Sequence, residues 1–194
     1  MKKIVLLLFA LGIGGTSLIA DTPAAPFPYV ATASWGMVYF KMVPRLSIRW
    51  DPPDGVGTAY RVRADGSDEI LWRTEGWYSF EVFISRDGMY LVAMGPWNEG
   101  TEPKKEDMAV AFYREGKLLK QYSTADLVKD KSKVLASISH YRWLARDVDR
   151  MAEGKRDPDA ELRIIGVNTF RLKTCDAITY EFDLTTGEIK KKKP

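Results

Sequence analysis

The sequence predicts a mainly β protein: antiparallel hairpins forming a sandwich or a curled meander, with one short helical segment near residues 123–145. Three observations carry this expectation. Short apolar runs alternate with polar residues at period 2, as in Leu46, Ile48, Trp50 and again in Phe80, Val82, Ile84. Glycine dipeptides punctuate the runs, and Asp-Gly between two alternating segments is the strongest local signal for a two-residue hairpin turn. The six Trp, nine Tyr and eight Phe suit the pleated, half-buried surface of a sheet.

Taken in order, Gly36 to Val43 reads as a first strand, stopped by Pro44. Leu46 to Trp50 follows, and Asp51-Pro52-Pro53-Asp54-Gly55 makes a loop. Tyr60, Val62 and Ala64 alternate with Arg61 and Arg63 and lead through Asp65-Gly66 to Ile70, Leu71 and Trp72. Phe80 to Ile84 leads through Asp87-Gly88 to Tyr90, Val92 and Met94. Val110 to Tyr113 leads through Glu115-Gly116 to Leu118, Leu119 and Tyr122. Phe170, Leu172 and Thr174 lead through Cys175-Asp176-Ala177 to Ile178, Tyr180 and Phe182, and Thr186-Gly187 precedes Ile189. About nine or ten strands in sequential hairpins favour antiparallel sheets, each with one buried and one wet face. Ser123 and Asp126 have the spacing of an N-cap and its third helical residue, so a short helix starts there. Arg146 to Glu161 is highly charged, contains Gly154 and Pro158, and reads as a mobile surface loop.

The N-terminus carries an address. Lys2 and Lys3 precede an apolar run from Ile4 to Leu11, and small residues lead to Ala20. Basic end, apolar middle and small-residue exit describe a secretory signal peptide over residues 1–20, with Ala24 and Ala25 as alternative cut sites. The uncharged stretch from Ile4 to Ala20 falls short of the roughly 20 residues that span a bilayer, so no stable membrane insertion is expected after cleavage. Removing 20 of 194 residues leaves 174, enough for a single domain without staples. Residues 21–32 carry prolines and alanines and read as a flexible spacer, residues 33–189 as one β-rich domain, and residues 190–194 as a basic tail. Cys175 is the single cysteine, which excludes an internal disulfide. The formal charge of +3 falls to +1 without Lys2 and Lys3, and four lysines sit in the tail. The body is therefore slightly acidic, against a nucleic-acid partner. The expected location is periplasmic or secreted.

The segments Ser85-Arg86-Asp87-Gly88-Met89-Tyr90-Leu91-Val92, Ala64-Asp65-Gly66-Ser67 through Leu71-Trp72, and Phe182-Asp183 through Glu188-Ile189 resemble the hairpins of β-propeller blades. Gly76-Trp77-Tyr78-Ser79-Phe80 through Gly95-Pro96-Trp97-Asn98-Glu99-Gly100 is similar to stretches of uncharacterised exported bacterial proteins. The resemblance covers about a third of the chain and carries no functional residues with it. A closed propeller needs at least four blades of four strands, which ten strands do not supply unless chains assemble.

Candidate chemistry is sparse. In Pro96-Trp97-Asn98-Glu99-Gly100 the Asn-Glu pair has the form of a glycosidase acid/base, but glycoside hydrolysis needs a second carboxylate about 5 Å or 6.5–9.5 Å away, and none is identifiable. His140 is the single histidine. Zinc catalysis uses three protein ligands, and Ser137 and Ser139 lie too close along the chain to be its designed nucleophile. Cys175 has no base or helix terminus to lower its pKa. The acidic clusters at Asp51/Asp54, Asp147/Asp149 and Asp157/Asp159 lack calcium-loop spacing. No catalytic residue, metal or cofactor is expected, and no convergence of Glu99, His140 or any pair of aspartates in one cleft is expected. Trp77, Tyr78 and Trp97 flank the open end of one hairpin and are expected to form an exposed contact patch with Asn98 and Glu99. The sequence thus points to an exported, non-catalytic binding or interaction module whose partner is an envelope protein or a glycan. A small glycan hydrolase using Glu99 and a structural subunit of an envelope complex are the alternatives.

Overall fold

A computed structural model describes residues 24–45, 54–96, 98–137, 139–149 and 162–193. Residues 1–23, which include the stretch read as a signal peptide, the run from Leu46 to Pro53, Trp97 and most of the charged segment before Leu162 lie outside the described residues.

Two four-stranded meanders come first. β1 (Tyr29–Thr32), β2 (Val38–Pro44), β3 (Gly55–Val62) and β4 (Asp68–Glu75) pair in chain order, and so do β5 (Val82–Ile84), β6 (Tyr90–Met94), β7 (Met108–Arg114) and β8 (Lys117–Ser123). The chain then passes through α1 (Thr124–Leu127), a 3-10 turn at Lys131–Lys133, a small hairpin of β9 (Leu135–Ala136) and β10 (Tyr141–Arg142), and α2 (Ala145–Asp149). A third meander closes the domain: β11 (Arg163–Ile165), β12 (Thr169–Lys173), β13 (Thr179–Asp183) and β14 (Ile189–Lys193). Every pairing is antiparallel, so the mainly β reading with a short helical insertion describes the fold. Among the described residues, no helix is long and apolar enough to cross a membrane.

The expectation of one wet face per sheet fails for the middle sheet. Leu91 pairs with Tyr113 and Ala93 with Ala111, and these four join Val38, Phe40, Met42, Ala59 and Trp72 of the first sheet in one buried cluster. Their chain neighbours Val92 and Met94, paired with Phe112 and Val110, join Phe170, Leu172, Tyr180 and Phe182 of the third sheet in another. Alternate residues of β6 and β7 therefore serve opposite clusters, and water reaches neither face at these positions. The sequence marks this with unbroken apolar runs, Tyr90 to Met94 and Met108 to Tyr113, in place of alternation.

Turn chemistry fixes how the layers meet. Glu115 and Gly116 both have positive φ, +47° and +80°, which is the two-residue turn whose twist matches its flanking strands. The Gly116 carbonyl accepts a bond from Thr74 Oγ1 of β4 at 3.2 Å, and a side chain there would begin 2.8 Å from the Arg73 carbonyl oxygen. One layer on, Tyr122 of β8 donates to the Gly187 carbonyl at 3.0 Å. Trp72 Nε1 donates to the Gly88 carbonyl at 2.6 Å.

Two boundaries differ from expectation. Residues 29–32, read as spacer, form β1, because Tyr29 finds both a strand partner in Met42 and a bond to the Ser79 carbonyl at 2.6 Å. Lys190 to Lys193, read as a tail, pair with β13 as an edge strand whose side chains stay exposed. A lysine-rich edge discourages further strand addition. The helix start is as expected: Ser123 Oγ accepts from the Asp126 amide at 3.1 Å, and Asp126 returns the bond to the Ser123 amide at 3.0 Å. The Lys105 ammonium, with Ser123, holds the Asp126 carboxyl at about 2.

Phe112 is fully buried and meets the rings of Phe170, Phe182 and Tyr122. Phe112→Ala is expected to cost about 3–5 kcal/mol in equilibrium urea unfolding, the range for emptying an aromatic core site. Lys191→Ala on the exposed edge is expected to stay within about 0.5 kcal/mol.

Candidate functional site

The site starts where β6 runs out. The Gly95 amide donates to the Ala109 carbonyl at 2.8 Å, and the backbones approach so closely that a Cβ would lie 1.7 Å from the Met108 carbonyl oxygen. Only glycine fits there. The chain then swings outward through Pro96 and returns antiparallel to the segment before β10. Glu99 bridges His140, Tyr141 N donates to the Asn98 carbonyl at 3.2 Å, and Gly100 N donates to the Ser139 carbonyl at 3.1 Å. The Tyr141 hydroxyl pins β10 from behind, 2.6 Å from Asp107 Oδ2 and 2.6 Å from Thr124 Oγ1. On the far side, Leu144 bridges Thr174, and Cys175 N donates to the Trp143 carbonyl at 2.8 Å.

Between these walls lies a cleft of about 280 Å³. Phe80, Pro96 and Trp143 supply apolar surface to it, and Glu81, Asn98, His140, Arg142, Arg146 and Asp147 supply polar groups. Arg146, read from sequence as part of a surface loop, instead sits on α2 and reaches back to Glu81. Its two terminal nitrogens take the two carboxylate oxygens, one of them at 2.7 Å. Asp147 lies 3.6 Å from Arg146 Nε, so the guanidinium is held between two carboxylates. This fork-on-fork arrangement orients as well as binds.

His140 is buried, and both ring nitrogens are engaged. Nδ1 lies 2.7 Å from Ser137 Oγ, and Nε2 accepts from Arg142 Nε at 3.4 Å. A guanidinium can only donate, so Nε2 is the acceptor and the proton sits on Nδ1. Nδ1 then donates to Ser137 Oγ, while Ser137 passes its own hydrogen to the His140 carbonyl at 3.1 Å. In this arrangement the imidazole does not draw a proton from the serine, which is what nucleophilic activation requires. Ser137 acts as the pin of a local turn, its Oγ also lying 3.3 Å from the Ser139 amide and 3.2 Å from the His140 amide.

The residues expected at a contact patch part company. Tyr78 is 5% exposed and belongs to the core between the first and middle sheets, its hydroxyl donating to the Phe27 carbonyl at 2.9 Å. Trp77 is half-buried, stacked between Phe40 and Tyr113, with Nε1 donating to Thr74 Oγ1 at 3.0 Å. These two rings close the gap between sheets, where large planar side chains bury the most area, and do not form an open patch. Trp97 lies outside the described residues. Asn98 lines the cleft, is 8% exposed, and its buried Oδ1 has no hydrogen-bond partner among the described residues. Glu99 has an exposed side chain. Glu99 bridges His140 through the backbone but does not line the cleft, and Asp147 is the one aspartate among the described residues that lines it beside His140.

Glu81, Arg142 and Arg146 were not legible as site residues, because Glu81 meets Arg146 across 65 residues and no local spacing announces it. Among the described residues, no three His, Cys, Asp or Glu side chains gather in a way that would hold a metal ion. Cys175 sits in the turn after β12. Burial, aided by the neighbouring Asp176 carboxylate, pushes its thiol up to about 11. Comparison with known proteins leaves the site to be read from its geometry: no protein-family model matches the chain, and no curated protein matches it.

A thiol so displaced is almost wholly protonated at neutral pH. The rate of Cys175 alkylation by iodoacetamide is expected to rise about tenfold per pH unit from 7 to 10, since only the thiolate reacts. Mass spectrometry of timed samples checks this, and a rate that levels off by pH 8 contradicts it.

Proposed function

We propose that the chain, after loss of residues 1–20, is a non-catalytic binding module of the cell envelope and that the cleft beside β10 is its ligand site. The observation that carries this reading is a preformed concave site in which a buried polar side chain, Asn98, lies beside apolar surface and charges fixed on regular elements. Rigidly held, partly apolar clefts with a few converging polar groups are the usual form of small-molecule sites. A volume of about 280 Å³ lies at the small end of the range, suited to a single sugar or amino-acid-sized group, whether free or displayed on a glycan or an envelope protein.

Export is supported by the basic n-region, the apolar run from Ile4 to Leu11 and the small residue at Ala20. Binding is favoured over hydrolysis by the states of the candidate groups. Ser137 and His140 are oriented away from nucleophilic activation, the Glu81 carboxylate is taken up by Arg146, and the Glu99 side chain is exposed.

Two measurements test the reading. Intact-mass analysis of protein recovered from a bacterial envelope is expected to show a chain beginning at Asp21, or at Ala25 or Pro26. Amide NMR of that protein, titrated with a panel of monosaccharides, sugar acids and amino acids, is expected to show shifts confined to residues 80–81, 94–98 and 140–147. Glu99→Gln is expected to leave them unchanged. Retention of Met1, shifts centred elsewhere, or a glycan-cleaving activity lost in Glu99→Gln would overturn it.

A further inference from the structure

The most exposed apolar side chains are not scattered over the surface. Among the described residues, Trp35 at 83%, Val167 at 80% and Met37 at 62% lead the exposed large hydrophobics. All three lie in turns that join the first two strands of a meander, Trp35 and Met37 between β1 and β2, Val167 between β11 and β12. The middle sheet places both turns at one end of the stack. Arg86, in the turn after β5, lays its guanidinium over the Trp35 ring at 4.2 Å. Phe83, just before that turn, meets the ring of Phe170 at 5.1 Å, and Phe170 follows the Val167 turn on β12. Both outer turns stand clear of the body, since a Cβ on Gly36 or Gly166 would meet nothing within 4 Å. Trp35 is also held at φ +83°, where a bulky residue is strained and glycine is not. The isolated fold gains little from an exposed indole in that backbone.

Two protruding apolar tips with a cation between them select the occupant. Stacked sheets lie roughly 10 Å apart, so the tips of the first and third sheets are on the order of 20 Å apart. A single partner pocket takes one such tip, whereas a flat, soft apolar boundary takes both at once. We infer that this end of the stack rests on the surface of a phospholipid bilayer, with Trp35, Met37 and Val167 inserted at headgroup depth and Arg86 on lipid phosphate. Indole rings settle at that depth because one part of the ring is apolar and its N–H stays wet. The Met37 carbonyl accepts the Val62 amide at 2.9 Å, which brings the turn between β3 and β4 alongside. Charges around the tips are then balanced, Arg61 and Arg86 standing with Asp65 and Asp87. That mixture suits zwitterionic headgroups, in which a phosphate neighbours an ammonium. The cleft lies at the opposite end, because Phe80 and Glu81 precede β5 and Met94 to Pro96 close β6. It faces solution while the tips face lipid, so the inference stands apart from the identity of the cleft's ligand.

Flotation of the full mature chain with unilamellar vesicles tests this. One set of vesicles is phosphatidylcholine with phosphatidylethanolamine, a second adds phosphatidylglycerol, and soluble glycerophosphocholine supplies the headgroup alone. The chain is expected to float with the zwitterionic vesicles at about 5 mM lipid and to keep floating in about 0.5 M salt, since the contact is mainly apolar. Trp35→Gly is expected to weaken partition about tenfold while melting no earlier than the unaltered chain, because glycine relieves the strained φ. Val167→Asp is expected to weaken partition about fivefold, and Val167→Trp to strengthen it by a similar factor. Phosphatidylcholine brominated on its acyl chains is expected to quench more emission in the unaltered chain than in Trp35→Phe. Should Trp35→Gly melt early, the gain from Val167→Trp decides the inference. No flotation with zwitterionic vesicles, flotation that requires phosphatidylglycerol and is abolished by salt, or partition indifferent to Trp35→Gly or to both Val167 substitutions overturns it. Release from vesicles by glycerophosphocholine identifies a headgroup pocket and overturns it too. Dimerisation without lipid that Trp35→Gly abolishes assigns the tips to a second copy of the chain, with the same consequence.

Discussion

Val92 and Phe112 press against the third sheet while their chain neighbours Leu91 and Tyr113 press against the first, and on this two-sided burial the rest of the molecule depends. A four-stranded meander has two faces and only one can be covered by a single neighbour. Placing one meander between two others gives the chain a pair of apolar layers from a single central sheet. The outer sheets can then keep polar faces toward water: Arg171 and Glu181 pair on the third, and Lys41 is exposed on the first. The layers are set by the turns as much as by apolar area, since Thr74 and Tyr122 each fasten the next sheet's last hairpin by its glycine carbonyl.

The cleft inherits its rigidity from that centre. β6 ends in Gly95, jammed against the Met108 backbone, so the point at which the chain leaves the middle sheet is fixed to within an atom's width. Everything that follows is tied to a sheet: Asn98 to β10 through the backbone, β10 to the loop before β7 through Tyr141 and Asp107, and Trp143 to the third meander through Cys175. Charges placed on such a frame are held in place by the fold itself, and pre-organisation of this kind is what selective polar recognition in a small site requires. The same frame explains why Ser137 and His140, although 2.7 Å apart, make a turn and not a nucleophile: Arg142 fixes the tautomer.

The hairpins were legible because their signals are local. Asp65-Gly66, Asp87-Gly88, Glu115-Gly116 and Thr186-Gly187 each place a positive-φ glycine within a residue or two of the turn, and Ser123 and Asp126 form their reciprocal cap inside four residues. Features that depend on distant partners were not legible. Reading Tyr90, Val92 and Met94 as one face conceals that Leu91 and Ala93 are buried just as deeply by another sheet. β1 is four residues long and follows a proline-rich stretch, so its strand character comes from β2 and not from its own sequence. Trp77 and Tyr78 looked like an exposed patch because strand ends often are exposed, but here the first sheet covers them. Of the residues named for contact, Asn98 falls in the cleft. Its companions Glu81, Arg142 and Arg146 come together only once three separate segments have folded.

Amide hydrogen exchange under native conditions tests the two-sided burial most directly. Amides of β6 and β7 are expected to exchange last, at the rate of global unfolding, with those of β12 and β13 faster and those of the edge strand β14 fastest. Exchange of β6 and β7 as rapid as that of β14 would mean that the middle sheet is open to water on at least one face, and the layered arrangement that positions the cleft would then be wrong.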